Sequence, residues 1–312
     1  MIATAAFALS VFVGLWCVLA WCAAAAVPQV ERLTRDVVPW QRSWLLLGTA
    51  GYAPAAAAVV AAVVFAPPLS DLVIGPHCHG AACGGHVPML ESHTVALALA
   101  AGLGAPPLLA LALMAFAGTE RALRLANLLT ALANRDGEAG YSTLNDDRIY
   151  ALSAGLLRPE VVVSRGLTQR ASAEDLRVVV MHEHAHGMRR DNLRHVLAAV
   201  ATLPMPGARR GRLIKAIQLA AEQACDHSVA LSLGSADRVA RALTAVRRLD
   251  DDASGTQCDA STTPSAREAA LERVERWETT RAVKLVPAAV ALGALPTLVL
   301  APVVHHVAEA MF

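Results

Sequence analysis

The stretch VVVMHEHAHG, residues 178–187, is the part of the sequence that most clearly indicates both a local fold and a functional site. It contains the pattern HExxH, in which His182 and His186 stand four residues apart. On a helix, two residues at that spacing lie on one face, one turn apart. Two imidazoles placed in this way can bind one zinc ion, and Glu183 beside them can accept a proton from a water molecule. The stretch therefore predicts a zinc site of the metalloprotease kind.

The same pattern could arise by accident, because the stretch is rich in histidine and a surface helix could carry solvated histidines. The residues before it favour the site. Ser172 is a suitable helix N-cap, and Asp175 stands three residues later in the capping-box position. The apolar residues that follow suit a buried helix. We therefore expect a helix that begins just after Ser172 and carries both histidines.

A catalytic zinc needs a third protein ligand and one open position. The stretch AAEQACD, residues 220–226, places Glu222 and Asp226 four residues apart, so on a helix they share a face. A solvated acidic face is the alternative, but the apolar flanks of this stretch argue against full exposure. We expect Glu222 to be the third ligand and Asp226 to hydrogen-bond the far nitrogen of a ligand histidine. His184, His195 and His227 are not expected to bind the metal.

Two segments, VVVMHEHAHGMRRDNL and then AAEQACDHSVAL, resemble the membrane zinc metallopeptidases of the BlaR/MecR antirepressor type. They resemble less closely the HtpX and CAAX-prenyl-protease group. The resemblance covers residues 147–231 and implies the same roles for Glu222 and Asp226. It also implies a BlaI-type transcriptional repressor as the target, or self-cleavage. Penicillin-sensing members carry a large sensor domain after the last span, and this sequence has only a short tail there, so beta-lactam sensing is not expected.

The composition independently indicates a membrane protein. Hydrophobic residues make up 55% of the chain, and the mean hydropathy is +0.44. Four stretches are long enough to cross about 30 Å of hydrocarbon. They are residues 2–27, 44–66, 94–117 and 285–304. The first could be a cleaved signal peptide, but no Lys or Arg precedes it and it is longer than a usual signal core, so we expect a retained span.

The distribution of charge predicts the orientation. The connection between the first two spans carries Arg32, Arg35 and Arg42, whereas residues 67–93 contain no Lys or Arg. Loops rich in Lys and Arg stay on the cytoplasmic side. We therefore expect a multi-pass protein of the cell membrane with both termini outside. Residues 118–284, including the zinc motif, would face the cytoplasm.

The expected fold is an α-helical integral membrane protein with four transmembrane helices and a mixed α+β cytoplasmic zinc metallopeptidase domain. Residues 1–117 form a membrane region with three spans, residues 118–284 the metallopeptidase domain, and residues 285–312 the last span. Short strands are expected at 148–153 and 160–164. An extended peptide could pair with such a strand beside the zinc helix, although an ordinary structural hairpin fits equally well. Residues 250–266 are expected to form a flexible loop.

Residues 193–205 are apolar but too short to span a membrane. They precede a basic patch, for which we expect anionic lipid as the neighbour, made of Arg209, Arg210, Arg212 and Lys215. Direct nucleic-acid binding is not expected, because no aromatic residues accompany the patch and the net charge is only +1. In the outer loop, Cys78 and Cys83 could form a disulfide, and the histidines around them could bind a metal. The sequence leaves both questions open.

The sequence thus predicts an integral membrane zinc-dependent metalloendopeptidase that holds one zinc ion and cuts a peptide or protein on the cytoplasmic side. Its expected partners are the lipid bilayer and that substrate. Two alternatives remain: an HtpX-like protease of membrane protein quality control, and a non-catalytic zinc-binding membrane signalling protein. Glu183 argues against the last, because a purely structural zinc site does not need it.

Overall fold

The computed structural model describes residues 2–74, 77–79, 82–84, 98, 102, 104–136, 140–254, 267, 270–271 and 298–308. The N-terminal region contains helices α1 (Ile2–Leu33), α2 (Pro39–Phe65) and α3 (Pro67–Val73). A short hairpin of β1 (His77–His79) and β2 (Ala82–Gly84) follows, and then the long helix α4 (Ala105–Leu132).

The second half of the chain begins with strands β3 (Asn134–Asp136), β4 (Tyr141–Leu144), β5 (Ala151–Ala154) and β6 (Glu160–Ser164). Helices α5 (Arg165–Arg170), α6 (Ala173–Arg189), α7 (Asp191–Ala201), α8 (Gly207–Leu233) and α9 (Ala236–Ser254) follow. Residues Leu298–Ala308 form α10. The two strands predicted before the HExxH helix are confirmed, with β5 beginning three residues later than expected.

Two of the described helices are long and apolar enough to cross a membrane, Thr4–Leu33 and Pro39–Phe65. They coincide with the first two predicted spans and suggest membrane association. The structure describes the third predicted span at residues 98, 102 and 104–117, and the fourth only at residues 298–304. The described parts of both, at the start of α4 and in α10, are helical.

The predicted loop at 250–266 is wrong for its first residues, because α9 continues to Ser254. The amphipathic pattern of α9 explains the difference, since Val239 and Ala242 are buried on one side of it. The remainder of that predicted loop lies outside the described residues.

In the β1–β2 hairpin, Cys78 is opposite Cys83 in the antiparallel register.

The four-stranded sheet has the order β3-β4-β6-β5, so β5 is an edge strand. It pairs with β6 in antiparallel register, and β6 in turn pairs with β4 in parallel register. The connection from β5 to β6 turns at Gly155, whose φ of 105° is costly for any residue with a side chain. Helix α6 packs across β5 and β6, which places the HExxH motif beside the free edge of the sheet.

Helix α8 joins two parts of the molecule. Its first half belongs to one apolar core with α1 and α2, in which Leu213 and Ile217 are buried together with Leu46 and Ala50. Its second half packs against α6 and α9 through Val229 and Ala230. A separate core under the sheet holds α6 on β6, where Val163 and Leu167 are fully buried. The predicted metal ligands thus lie where these cores meet.

Candidate metal centre

Helix α6 begins as the sequence predicts. The Ser172 hydroxyl oxygen accepts a hydrogen bond from the Asp175 backbone N–H at 3.1 Å and donates to the Asp175 carboxylate at 2.6 Å. The helix then runs without a break through the HExxH motif to Arg189. His182 and His186 lie one turn apart on it, and their Nε2 atoms are 3.1 Å from each other.

Glu222, on α8, faces both histidines across the gap between the helices. Its Oε2 lies 3.3 Å from Nε2 of His182, and its Oε1 lies 3.4 Å from Nε2 of His186. In a tetrahedral zinc site with bonds of about 2.05 Å, neighbouring ligand atoms are about 3.3 Å apart. The structure therefore brings the three predicted ligands together at a spacing that fits one zinc ion.

Asp226 lies one turn further along α8, and its Oδ1 is 2.9 Å from Nδ1 of His182. Their alignment is poorer than in an ideal hydrogen bond, but the distance is that of an ion pair. Asp226 is almost fully buried, at 1% exposure. It occupies the place beside a ligand histidine that the sequence predicts for it.

Asp191 lies beside the far nitrogen of His186 in the same way, and the sequence did not lead us to expect it. Its Oδ2 lies 2.9 Å from Nδ1 of His186. Arg190 adopts a left-handed conformation, with φ of 53°, and the resulting tight turn brings Asp191 back toward the histidine. Arg189 also pairs with Asp191, at 3.1 Å. The only available signal was an acidic residue shortly after the second histidine, and its polar neighbours resembled a surface turn.

Cys225 extends this support, because its buried thiol lies 3.6 Å from Oδ2 of Asp191. His186, Asp191 and Cys225 could by themselves hold a metal ion. We interpret Asp191 as a hydrogen-bond partner instead, because it already pairs with two arginines and faces the nitrogen of His186 that points away from Glu222.

Arg267 is the second residue that the sequence reasoning missed. Its guanidinium binds Asp226 through two hydrogen bonds, of 2.8 and 2.7 Å. Its Nη1 also lies 3.1 Å from Oε2 of Glu222. The contact spans 41 residues of sequence, so no local pattern could have indicated it. Arg267 thus compensates the buried charge of Asp226 and touches the third ligand.

The electrostatics of the site favour a cation. Burial opposes the charged form of His182, but its contacts with Asp226 and Glu222 outweigh that cost and raise its pKa. Burial likewise opposes ionisation of Glu222, yet hydrogen bonds from the two histidines and the charge of Arg267 lower its pKa. Carboxylates that draw positive charge onto the imidazoles would also stabilise a divalent cation between them. The donor set therefore fits zinc in charge as well as in spacing.

Glu183 lies on α6 beside the first ligand and faces the same cleft. Burial raises its pKa, while the neighbouring histidines and a backbone hydrogen bond from Ser153 act in the opposite direction. A carboxylate whose pKa is raised is a better proton acceptor near neutral pH than an ordinary glutamate. Its position and environment suit a general base.

The cleft beside these groups has a volume of about 320 Å³. Its polar side is formed by His182, Glu183, Glu222 and Arg267, and its apolar wall comes from α6 and α9. Residues 149–151, which lead into the edge strand, also line the cleft. The other histidines of this region lie outside the ligand group. His184 is exposed and points toward the loop at Gly140: its Nε2 lies 3.8 Å from the place that a Cβ atom on Gly140 would occupy.

Comparison with known proteins agrees with this geometry. No curated protein and no solved structure matches the chain. A family model does match, and it covers just under half of the chain, from the second half of α4 through β3–β6 and the HExxH helix to beyond α9. It confirms neither the BlaR/MecR resemblance nor the HtpX one, and Arg267 lies just after the matched segment. Residues 119–262 thus match Peptidase family M48, which supports a zinc metallopeptidase of the M48 type.

Proposed function

We propose that this protein is a membrane zinc metalloendopeptidase that cleaves peptide bonds on the cytoplasmic side. The observation that carries the proposal is the convergence of His182 Nε2 and His186 Nε2, 3.1 Å apart, on the Glu222 carboxylate, whose Oε2 and Oε1 lie 3.3 and 3.4 Å from them, next to Glu183. His182, His186 and Glu222 would hold the zinc. Asp226 and Asp191 would hold the two imidazoles with Nε2 directed inward.

Zinc bound there supplies a Lewis acid that polarises a carbonyl group and acidifies water near neutral pH. Glu183 accepts the proton of the attacking water on its carboxylate and later donates it to the leaving amine. Its raised pKa suits both steps, because the group must be deprotonated at first and protonated afterwards. Arg267 keeps the buried carboxylate of Asp226 ionised beside the cleft.

The edge strand supports a peptide as the substrate. β5 leaves one side of its backbone without a strand partner in the described sheet, and α6 lies directly against it. An extended peptide added to that edge would cross the cleft beside Glu183. Its side chains would meet the apolar wall of α6 and α9, which favours aliphatic residues near the cut bond.

The natural substrate we propose is a BlaI-type repressor or a segment of the protein itself, as the sequence resemblance implies. An HtpX-like role in quality control would differ in breadth, because many membrane proteins would then be cut. Comparing the cut proteins in cells that carry the active protein and an inactive variant separates these roles. A single cleaved regulator favours the first, and a broad set favours the second.

The catalytic assignment is tested with Glu183→Gln in native membranes. We expect zinc to remain bound and peptide cleavage to fall roughly 100-fold or more, since general base catalysis contributes 10²–10⁴-fold. Glu174→Gln is the matched control, because Glu174 is an exposed residue in the first turn of the same helix. If Glu183→Gln cleaves as fast as the unaltered protein, the site is not catalytic in the way proposed.

A further inference from the structure

The first turns of α8 carry a basic face next to the apolar N-terminal helices. Three exposed residues form it, Arg209, Arg212 and Lys215. On the other side of the same turns, Leu213 and Ala216 are buried in the core shared with α1 and α2. The basic face therefore belongs to a helix that is fixed directly on the two candidate membrane spans.

A hydrogen bond shows which part of α1 lies beside the turn that precedes the basic face. The indole N–H of Trp16 donates to the carbonyl oxygen of Ala201, the last residue of α7, at 3.1 Å. Trp16 precedes the end of α1 at Leu33 by a distance of about 25 Å along the helix axis. The turn between α7 and α8, residues 202–206, thus lies far along α1 from the connection to α2.

This level limits how far the hydrocarbon can extend. If it reached residue 27, as the sequence predicts, the turn and the start of α8 would lie within it. Charged side chains are strongly disfavoured there. Residues 2–21 alone make a helix of about 30 Å, which is long enough to cross the bilayer. Trp21 is 63% exposed and is the type of residue that marks the boundary between hydrocarbon and headgroups.

We propose that the apolar turn between α7 and α8 dips about 7 Å below the cytoplasmic headgroup boundary, to the level of Trp16, and that the basic face of α8 lies in the headgroup layer and binds anionic phospholipid. The proposal rests on the membrane placement proposed above. Leu203 and Met205 make the turn itself apolar, and both pack on the N-terminal core. Apolar residues at the headgroup boundary, followed by Lys and Arg one or two turns away, are the pattern of a membrane-surface segment.

The three basic residues do not contribute equally. Arg212 also pairs with Glu31 at the end of α1, which offsets part of its charge. Arg209 and Lys215 therefore provide most of the attraction to lipid. Arg210, between them, donates to the carbonyl oxygen of Ala199 and ties the turn to α7.

Lipid bound here would act on the helix that carries the third metal ligand. Glu222 lies about 20 Å along α8 from Arg209. Near it, Arg42 of α2 donates to Gln223 at 3.1 Å, so α8 is attached to the spans at both ends of this segment. The metal centre is then held within about 20 Å of the headgroup layer, a distance that selects membrane-proximal stretches of a substrate.

The test uses the full-length protein in nanodiscs of phosphatidylcholine in which about a quarter of the lipid is phosphatidylglycerol. Tryptophan quenching by lipids brominated on their acyl chains gives the binding constant of phosphatidylglycerol relative to phosphatidylcholine. Each basic residue at an anionic surface contributes roughly a fivefold preference. The double variant Arg209→Gln, Lys215→Gln should therefore lose roughly tenfold or more of that preference. A matched control replaces two exposed arginines of α6 and α9, Arg177→Gln and Arg248→Gln, and should behave like the unaltered protein.

Two results would overturn the proposal: no preference for phosphatidylglycerol in the unaltered protein, or an equal loss in the control variant. Alkaline carbonate extraction of native membranes separates this failure from that of the membrane placement. A protein that stays in the pellet but is indifferent to lipid charge refutes only the lipid site. A protein released into the supernatant refutes the membrane placement on which the site depends.

Discussion

Each histidine of the metal centre has its own carboxylate at the nitrogen that faces away from Glu222. Asp226 serves His182 from α8, and Asp191 serves His186 from the first turn of α7. These carboxylates fix the orientation of the imidazole rings and make them better metal ligands. Both are buried at 2% exposure or less, so each depends on arginine neighbours to remain charged.

Replacing Asp191 with asparagine keeps the shape of the side chain but removes its charge. We expect zinc affinity to fall roughly 10–100-fold, the usual effect of losing such a partner of a ligand histidine. Competition with a chromophoric chelator measures the affinity. Asp237→Asn is the control, because Asp237 is exposed on α9 and pairs with Arg241 on the same helix, away from the metal ligands. Unchanged zinc affinity in Asp191→Asn would show that His186 needs no such support.

Replacing Arg267 with methionine leaves the carboxylate of Asp226 buried without its bidentate partner. Breaking a buried pair in this way typically costs about 3–5 kcal/mol. We expect a clearly lower unfolding temperature for Arg267→Met in the zinc-free protein. Arg267→Lys retains the charge but not the two parallel hydrogen bonds. Its unfolding temperature should therefore lie between those of the unaltered protein and Arg267→Met. Equal unfolding temperatures for all three proteins would contradict the ion pair described here.

The sequence predicts five site residues, and the structure brings them to one cleft: His182, Glu183, His186, Glu222 and Asp226. Their placement within each helix could be predicted because the two histidines, and likewise Glu222 and Asp226, lie at helical spacing. Asp191 depends on the left-handed turn at Arg190, and Arg267 depends on a contact made across 41 residues. Neither kind of information is present in a short sequence pattern.

At the scale of elements, α6 does most to position the site. It is capped at Ser172, packs on β5 and β6, and passes so close to the β5–β6 turn that a side chain at Gly187 would meet Pro159 at 3.3 Å. The capping box and the two strands could be predicted from sequence. The extension of α9 to Ser254 could not, because its last turn is acidic and resembles a loop.

The N-cap of α6 gives a direct measure of how far its stability depends on local structure. Ser172→Ala removes the hydroxyl that accepts the Asp175 backbone hydrogen bond, and caps of this kind are worth about 1 kcal/mol. We expect that loss in the free energy of unfolding, while zinc affinity stays unchanged because the ligands lie more than two turns away. Ser172→Thr should restore most of the stability, since threonine also caps helices and keeps a hydroxyl that can donate to the Asp175 carboxylate. A zinc affinity that falls together with stability would mean that the first turn of α6 also positions the histidines.

For the whole molecule, the main feature is that one helix, α8, takes part in both the apolar N-terminal core and the metal centre. Composition and charge predict a membrane protein, and two described helices have the required length and apolarity. The close packing of α7 and α8 on these helices was not predictable, because the apolar composition of a segment such as 193–205 does not show which surface it packs against. It brings the site closer to the proposed bilayer than a separate domain would be.

The proposed orientation can be measured by cysteine labelling in intact cells, after the native cysteines are replaced. Leu72→Cys, on α3, should react with a membrane-impermeant maleimide from outside, since Leu72 is 81% exposed. Arg248→Cys, on α9, should react only after the cells are lysed, because we place that helix in the cytoplasm. The reverse pattern would invert the topology. Labelling of both in intact cells would mean that no membrane separates them.

The division of the ligands between α6 and α8 makes the centre sensitive to helix phase. His182 and His186 are fixed by the sheet, whereas Glu222 is fixed by a helix whose first half is packed among the apolar N-terminal helices. A shift of α8 by one residue in register would turn Glu222 by about 100° about the helix axis and carry its carboxylate out of reach of the imidazoles. The geometry of the site therefore depends on the packing of α8 among the N-terminal helices, far from the metal ligands themselves.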